Sequence, residues 1–369
     1  MNLVITRADR YPFSFSHDGG NSRIHWNQRG GMVLRVCERD GAVGLGEASP
    51  LPGYSRDTLE ACERDLERFA ASLPTALADP IDATIPRLLD ACGVHAPAAR
   101  FAIETALLDV VARVRGLPVW AVLRGADAAR PLKLSAVIDD PADASRAARS
   151  AIERGIRTLK AKVGRAGRFD EELAALHGLR GLGPLALRAD ANGAWTGDEA
   201  AQRLERMRPL GLEFVEEPCP IDDWSALAGC GVAIAADESL QTDHGLDAAL
   251  RLAGEGICRV FVLKPTALGG ALRCLHIADR VRAAGAEVVV THMFEGPIAH
   301  AASVELALAL SPGLACGLDA APHQARWPRW PRWPGGTLVR LTDSEIIPNM
   351  VVGLGVDVPL GASLAEEDP

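Results

Sequence analysis

Between Leu132 and Gly296, short apolar runs recur about every 20 to 30 residues. They read "LKLSAVI", "TLKAKVG", "LALRADANG", "LEFVEEP", "VAIAADES", "CRVFVLKP" and "AEVVVTHMFEG", all rich in Val, Ile, Leu and Ala. After each of the first six the pattern changes to helical periodicity, as in "ADASRAARSAIERG" and "TGDEAAQRLERMRP". Alternation of this kind predicts βα repeats around a parallel sheet. Seven strands, with an eighth near "GLACGLDAA", suit a closed barrel better than an open sheet. A doubly wound sheet would carry a Gly-rich turn after its first strand, and there is none.

Upstream the texture differs. "GMVLRVCERDGAVGLGEASP" predicts two strands joined at Asp40-Gly41, a good hairpin turn. In "PLPGYSRDTLEACERDLERFAASL" a Pro-Gly loop precedes apolar residues at helical spacing from Leu59 through Leu66 to Phe69. A second helix, "ARFAIETALLDVVARVRG", is stopped by Gly116 and Pro118. The expected organisation is an α+β unit over 1–125, a barrel over 126–320, and a segment over 321–369 that packs back on the first unit. Within that last segment, Trp327, Trp330 and Trp333 of "ARWPRWPRWPGG" repeat every third residue. That spacing predicts a polyproline-II strap against the body rather than an aromatic ligand platform.

Composition narrows the function. Of 369 residues, 48% are hydrophobic and 24% charged, ample for a large core. A net charge of -9 argues against nucleic acid or an acidic membrane as the main partner, and leaves small anions open. No run approaches the roughly 18 apolar residues of a membrane span. Arg7, Asp9 and Arg10 interrupt the segment where a signal peptide would be apolar. The 8 cysteines include no C-x-x-C pair and are expected as free thiols in a reducing compartment, so the cytoplasm is the expected location.

The chemistry gathers at the strand ends, where a barrel carries its functional side chains. In order these are Lys160 and Lys162, Asp190 and Asn192, Glu216 and Glu217, Asp237 and Glu238, then Lys264. One charged residue at a strand end is usually a solvated edge or a helix cap, as Asp198 is expected to be. Five consecutive units ending this way ask for another explanation. Asp190, Glu216 and Asp237 come from adjacent strands, and carboxylates brought together repel unless a cation lies between them. Oxygen-only ligands favour Mg²⁺, with Mn²⁺ as an acceptable substitute. Lys162 and Lys264 would flank that ion from opposite walls. The implied reaction removes a proton next to a carboxylate, with the ion holding both oxygens of the resulting enediolate.

The ordered set "KAK" (160–162), "DAN" (190–192), "EEP" (216–218), "DES" (237–239) and "KPTALGG" (264–270) resembles the enolase superfamily in its muconate-lactonising subgroup. The likeness runs over nearly the whole chain, including "RFAIETALLDVVARVRGLPVW" at the entry to the barrel. It implies an α/β fold, a (β/α)₇β TIM-like barrel with an N-terminal α+β capping domain. It also implies Asp190, Glu216 and Asp237 as metal ligands, Lys162 as acid/base with Lys160 beside it, and Lys264 opposite. Asn192 and Glu238 would orient these groups. The loop "GEASPLPGYSRDTLEAC" (46–62) resembles the capping segment of o-succinylbenzoate synthases and places Tyr54 and Ser55 over the barrel mouth. "THMFEGPIA" (291–299) matches the seventh strand end in part: Thr291 and His292 stand where the family has a serine pair, while Glu295 and Gly296 fit. Tyr54, Ser55, Thr291, Met293 and Glu295 are the expected substrate contacts, and His292 is expected as a hydrogen-bonded loop residue. A small-molecule carboxylate is the expected partner, and a homo-oligomer is compatible with the sequence. The capping-loop resemblance makes dehydration to 2-succinylbenzoate the expected reaction. Racemisation of an N-acylamino acid or epimerisation of a dipeptide, and muconate-type cycloisomerisation, share the other motifs and are the alternatives. A non-catalytic anion-binding barrel would be free to lose one of the lysines or carboxylates, and none is missing.

Overall fold

The computed structural model of the chain describes residues 2–20, 24–125, 129–319, 326–327 and 344–356. The N-terminal unit is an antiparallel sheet in the order β3-β2-β1-β4, formed by β1 (Asn2–Gly20), β2 (His25–Glu38), β3 (Val43–Ala48) and β4 (Thr75–Ala78). Helices α1 (Leu59–Ala71), α2 (Ile81–Ala91), α3 (Pro97–Arg115) and the short α4 (Val119–Arg124) complete it. The Asp40-Gly41 turn joins β2 to β3, and α3 stops at Gly116 in a left-handed cap, both where expected. The strands β1 and β2 pair as far as Gly20 and His25. This carries the hairpin beyond its own sheet, so that Gly20 reaches a barrel lysine (below). A buried core of Leu34, Val36, Phe69, Phe101 and Leu107 holds sheet and helices together.

The barrel follows. Its strands are β6 (Ser135–Ile138), β7 (Thr158–Lys162), β8 (Ala186–Asp190), β9 (Phe214–Glu216), β10 (Ile234–Ala236), β11 (Cys258–Leu263) and β12 (Glu287–Val290), parallel and in sequence order. The eighth strand is shorter than expected. Among the described residues of "GLACGLDAA", Cys316 and Gly317 make bridges, to Leu134 and Thr291. Four backbone hydrogen bonds through those two residues still join β6 to β12, for example Ser135 N–H to Cys316 O at 2.9 Å and Gly317 N–H to Val290 O at 3.0 Å. Pro312 and Gly313 are poor strand formers, which leaves closure to these two residues. The outer helices are α5 (Ala144–Glu153), α6 (Phe169–Arg180), α7 (Gly197–Met207), α8 (Asp243–Gly254), α9 (Pro265–Leu268), α10 (Ala271–Ala283) and α11 (Pro297–Leu310). The expected helix after "LEFVEEP" is a 3₁₀ run, Ile221–Leu227. Pro218 and Pro220 ahead of it and Gly229 and Gly231 behind it leave too few helix-competent residues.

Described parts of the C-terminal segment touch both bodies. The strand β13 (Glu345–Ile346) pairs with β5 (Leu132–Lys133), Gly353 O accepts from Val119 N–H at 3.2 Å, and Leu354 N–H donates to Asp109 at 2.9 Å. Trp327 is buried with its ring 5.3 Å from that of His300, whereas Trp330 and Trp333 lie outside the described residues. All 8 cysteines are free thiols, and no described helix is long and apolar enough to cross a membrane.

The two bodies are joined by carboxylates that cap each other's helices. None of α4, α10 or α11 has a capping side chain of its own; their caps are Pro118, Gly270 and Gly296. Glu305 of α11 accepts from Trp120 N–H at 2.7 Å, and Glu104 of α3 accepts from Leu272 N–H at 3.0 Å. Glu47 of β3 accepts from Gly296, Ile298 and Ala299 at 2.7, 3.1 and 3.1 Å. Orphan N–H groups and the positive helix end both favour this placement. It also explains two glycines: a Cβ at Gly270 or Gly296 would lie 2.6 or 2.8 Å from the carboxylate of Glu104 or Glu47.

Burial pushes these carboxyls up, to about 7 for Glu47 and Glu104 and about 8 for Glu305, against the pull of their N–H donors. A folded-state pKa above the unfolded value means that the folded chain binds the proton more tightly. The associated stability is complete below about 4.5 and is lost as pH rises through about 8 for Glu305. In E305Q that component is expected to vanish. Denaturant unfolding from pH 4 to 9 checks this: the wild-type curve should fall more steeply than the variant's, and parallel curves would contradict the assignment.

Candidate active site

Alternation along β7 turns Lys160 and Lys162 into the barrel, and the register Lys162–Asp190–Glu216 puts three ionisable residues at one level on neighbouring strands. Asp237 follows β10 directly and Lys264 follows β11. All six are largely or wholly buried. Lys160 Nζ lies 3.0 Å from Asp190 Oδ2 and 3.0 and 3.1 Å from the two oxygens of Glu216. Lys264 Nζ is bonded to Asp237 and donates to Tyr54 Oη at 2.9 Å, while Tyr54 O–H donates to Asp237 Oδ1 at 2.8 Å. Lys162 is set apart. It is bonded to the Gly20 carbonyl at the hairpin tip, lies 3.3 Å from Asp139 Oδ1, and stands 5.4 Å from the centre of the Phe294 ring.

Each lysine answers to its surroundings. Burial disfavours the Lys160 ammonium, but Asp190, Glu216 and Asp237 outweigh burial and hold its pKa above the usual lysine value. Burial likewise opposes charge on Lys264, and Asp237, Glu216 and Glu238 reverse it, again raising the pKa. For Lys162 burial wins: Asp139 and Asp190 pull the other way, Lys160 adds repulsion, and the pKa falls below the ordinary value. The carboxylates share Lys160 unequally. Asp190 is held down against burial by Lys160, Lys264 and Lys162, whereas burial and the charge of Asp190 push Glu216 up.

The neighbouring residues fix these positions. Asn192, at φ 50°, donates its backbone N–H to Asp190 at 3.0 Å and its Nδ2 to Glu238 at 3.0 Å. Glu217, at φ 40°, accepts from Asp237 N–H at 2.8 Å and from the Ser239 hydroxyl. Left-handed backbone at non-glycine residues costs about 1–3 kcal/mol each and persists where the surroundings impose it. Here each turn aims a carboxylate. Trp26 Nε1 donates to Pro52 O at 2.9 Å and so ties the hairpin to the Pro-Gly loop.

A cavity open at the mouth is lined by Lys160, Lys162, Asp190, Glu216, Lys264 and Tyr54 among others. Thr291, His292 and Met293 line it too. His292 Nδ1 accepts from Phe294 N–H at 3.1 Å, which fits a loop histidine. Two expected contacts are corrected. The Ser55 hydroxyl accepts from Leu51 N–H at 2.9 Å, bracing the loop, and Ser55 does not line the cavity. Glu295 turns into the protein, where it accepts from Met293 N–H and from Thr266 at 3.2 Å, near the buried Arg29. A carboxylate amid its own donors gains nothing by facing an anionic substrate. Conversely, Asp139, Phe294 and Arg188 were not singled out in the sequence. Asp139 had a signal, since it ends the first barrel strand as the others end theirs.

Among the described residues, no group of three or more His, Cys, Asp or Glu side chains is arranged to hold a metal ion as it stands. The ammonium groups of Lys160 and Lys264 account for this, since they lie where the carboxylate charge needs compensation. The donor set nevertheless suits a hard divalent ion. It offers oxygens alone, from adjacent strands, with positive charge already drawn to them.

With this geometry in place, the comparisons are consistent. Residues 143–361 match the model for the enolase C-terminal domain-like family, and residues 22–124 match the N-terminal domain of the mandelate racemase / muconate lactonizing enzyme family. The chain belongs to the enolase superfamily, and its fold is a TIM-type barrel with an N-terminal capping domain. It is 33% identical to an o-succinylbenzoate synthase of Thermosynechococcus vestitus over 76% of this chain and 81% of the relative. It is equally 33% identical to an L-Lys-D/L-Arg epimerase of Methylococcus capsulatus over 75% of this chain and 79% of the relative. The crystal structure of a dipeptide epimerase from Methylococcus capsulatus, complexed with Mg and the dipeptide L-Arg-D-Lys, superposes with TM-score 0.82 at 28% identity, covering 96% and 99% of the two chains.

Removing Lys160 would leave Asp190 and Glu216 buried without their cation. K160M is therefore expected to lower the stability of the metal-free protein by about 3–5 kcal/mol. Denaturant unfolding in EDTA measures it, and a loss below about 1 kcal/mol, the scale of a surface ion pair, would show the contact to be incidental.

Proposed function

We propose that the chain is a Mg²⁺-dependent dehydratase of the o-succinylbenzoate synthase type, converting 2-succinyl-6-hydroxy-2,4-cyclohexadiene-1-carboxylate to 2-succinylbenzoate and water. The observation that carries this reading is the unlike setting of two lysines on opposite walls of one cavity. Lys162 has a single carboxylate beside it, on a residue whose side chain is 45% exposed, whereas Lys264 is bonded to Asp237 and to Tyr54.

Asp190, Glu216 and Asp237 would hold the ion, whose charge when bound favours ionisation next to the substrate carboxylate. Lys162, whose pKa burial lowers, takes the ring proton α to that carboxylate. The electron pair released forms the new double bond as the ring C–O bond breaks. The departing hydroxyl takes the proton back from Lys162 on the same face and leaves as water, and the ring becomes aromatic. Lys264 stays protonated and faces the developing negative charge. Tyr54, carried by the Pro-Gly loop, holds Lys264 in that role. Asn192 and Glu238 steady Asp190, so their loss should weaken rather than abolish activity.

Epimerisation, the activity named for one of the two equally similar relatives, needs Lys264 to lose and regain a proton as freely as Lys162. Its bonds to Asp237 and Tyr54 oppose that. The direct test is formation of 2-succinylbenzoate with EDTA and Mg²⁺ add-back, run beside a panel of dipeptides and N-acylamino acids. Racemisation without dehydration would replace the reading.

K264R is expected to retain more dehydratase activity than K162R, and equal, complete losses would count against a single base. By calorimetric titration D190A is expected to lose most Mg²⁺ affinity; unchanged binding would remove Asp190 from the ligand set. Asp139 raises the Lys162 pKa, so D139N should move the acid limb of the kcat/KM profile to lower pH. An unmoved limb would show that Asp139 does not act on Lys162.

A further inference from the structure

Arg188 stands on β8 two residues before Asp190, so strand alternation turns it to the same interior face one level deeper. It is 2% exposed. Its Nε lies 2.6 Å from Glu213 Oε2, its Nη1 donates to Ala315 O at 2.8 Å, and its guanidinium lies 4.6 Å from the centre of the Phe214 ring. Among the described residues Nη2 has no hydrogen-bond partner, and neither does the hydroxyl of Thr291, which is 8% exposed. Both residues line the cavity, together with Val137, Phe214 and Val289. The dehydration chemistry uses neither group.

A buried guanidinium with an unmade hydrogen bond is costly, and such a group calls for an acceptor. The other nitrogens are held in place, so Nη2 is pre-aimed rather than free to turn away. A carboxylate meets both donors and matches the charge, which gives the stronger class of hydrogen bond. We propose that Arg188 and Thr291 form a subsite at the inner end of the cavity for the second carboxylate of a dicarboxylate substrate. The connecting arm lies on Val137, Phe214 and Val289. The identity of that arm, a succinyl group, rests on the dehydratase reading.

The test is equilibrium titration of the Mg²⁺-loaded protein with 2-succinylbenzoate and with its distal primary amide, in wild type, R188M and T291V. Loss of a charge-assisted hydrogen bond corresponds to a factor of about 10 to 100 in affinity. Wild type should therefore prefer the carboxylate by at least about tenfold, R188M should bring the ratio close to one, and T291V should reduce it severalfold. Each ratio is taken within one protein, so partial unfolding of R188M cancels. An unchanged ratio in R188M, no preference in wild type, or no binding of either ligand by wild type would overturn the subsite. The expected ratios without turnover of the cyclohexadiene would instead remove the dehydratase reading and leave the subsite. Turnover with an unchanged ratio would remove the subsite alone.

Discussion

Buried carboxylate charge is the constraint on which the rest of the site depends. Asp190, Glu216, Glu217, Asp237 and Glu238 lie within one barrel mouth, and none could remain there without positive charge or N–H donors close by. Lys160 meets Asp190 and Glu216, Lys264 meets Asp237, and the turns at Asn192 and Glu217 supply backbone and side-chain donors. Compensation is uneven, and the unevenness has chemical content. The two lysines drawn into it are held as cations. Lys162, less engaged in it, is the one whose pKa burial lowers.

The same economy joins the two bodies. Glu47, Glu104 and Glu305 each cross from one body to cap a helix of the other, and each makes the capped helix depend on docking. Because β3 and α3 are anchored in this way, the long β1–β2 hairpin and the Pro-Gly loop are held over the strand ends. Gly20 and Tyr54 thereby reach lysines that their own sheet could never touch. The pocket is completed by residues from both bodies, so its shape depends on carboxylates remote from the chemistry.

Much of this was legible in one dimension. A βα repeat shows itself because strand and helix impose periods of 2 and 3.6 on apolar residues, and strand ends are readable because each run closes on a charge. Lys162, Asp190, Glu216, Asp237 and Lys264 were found that way. Residues that act through loop geometry were harder. Ser55 and Glu295 sit beside true cavity residues in sequence, yet each is consumed by a neighbouring backbone N–H. Asp139 and Arg188 drew no expectation from the sequence. The eighth strand lies where its weak pattern put it, with Cys316 and Gly317 bridged to both sides.

"KAK" by itself thus determined that two ammonium groups would face one side of a strand. Together with the motifs on the following strands, it determined a carboxylate-rich barrel mouth of the enolase type. The sequence could not say which lysine would be paired and which left apart, because that depends on distances across the barrel. Tertiary structure decided it. Lys160 lies within 3.0 Å of Asp190 and of Glu216, while Lys162, one turn of the pleat further along, extends toward the hairpin. Two residues that are alike in sequence differ because Coulomb attraction and desolvation depend on three-dimensional separation and burial, which the order of residues along a strand does not record.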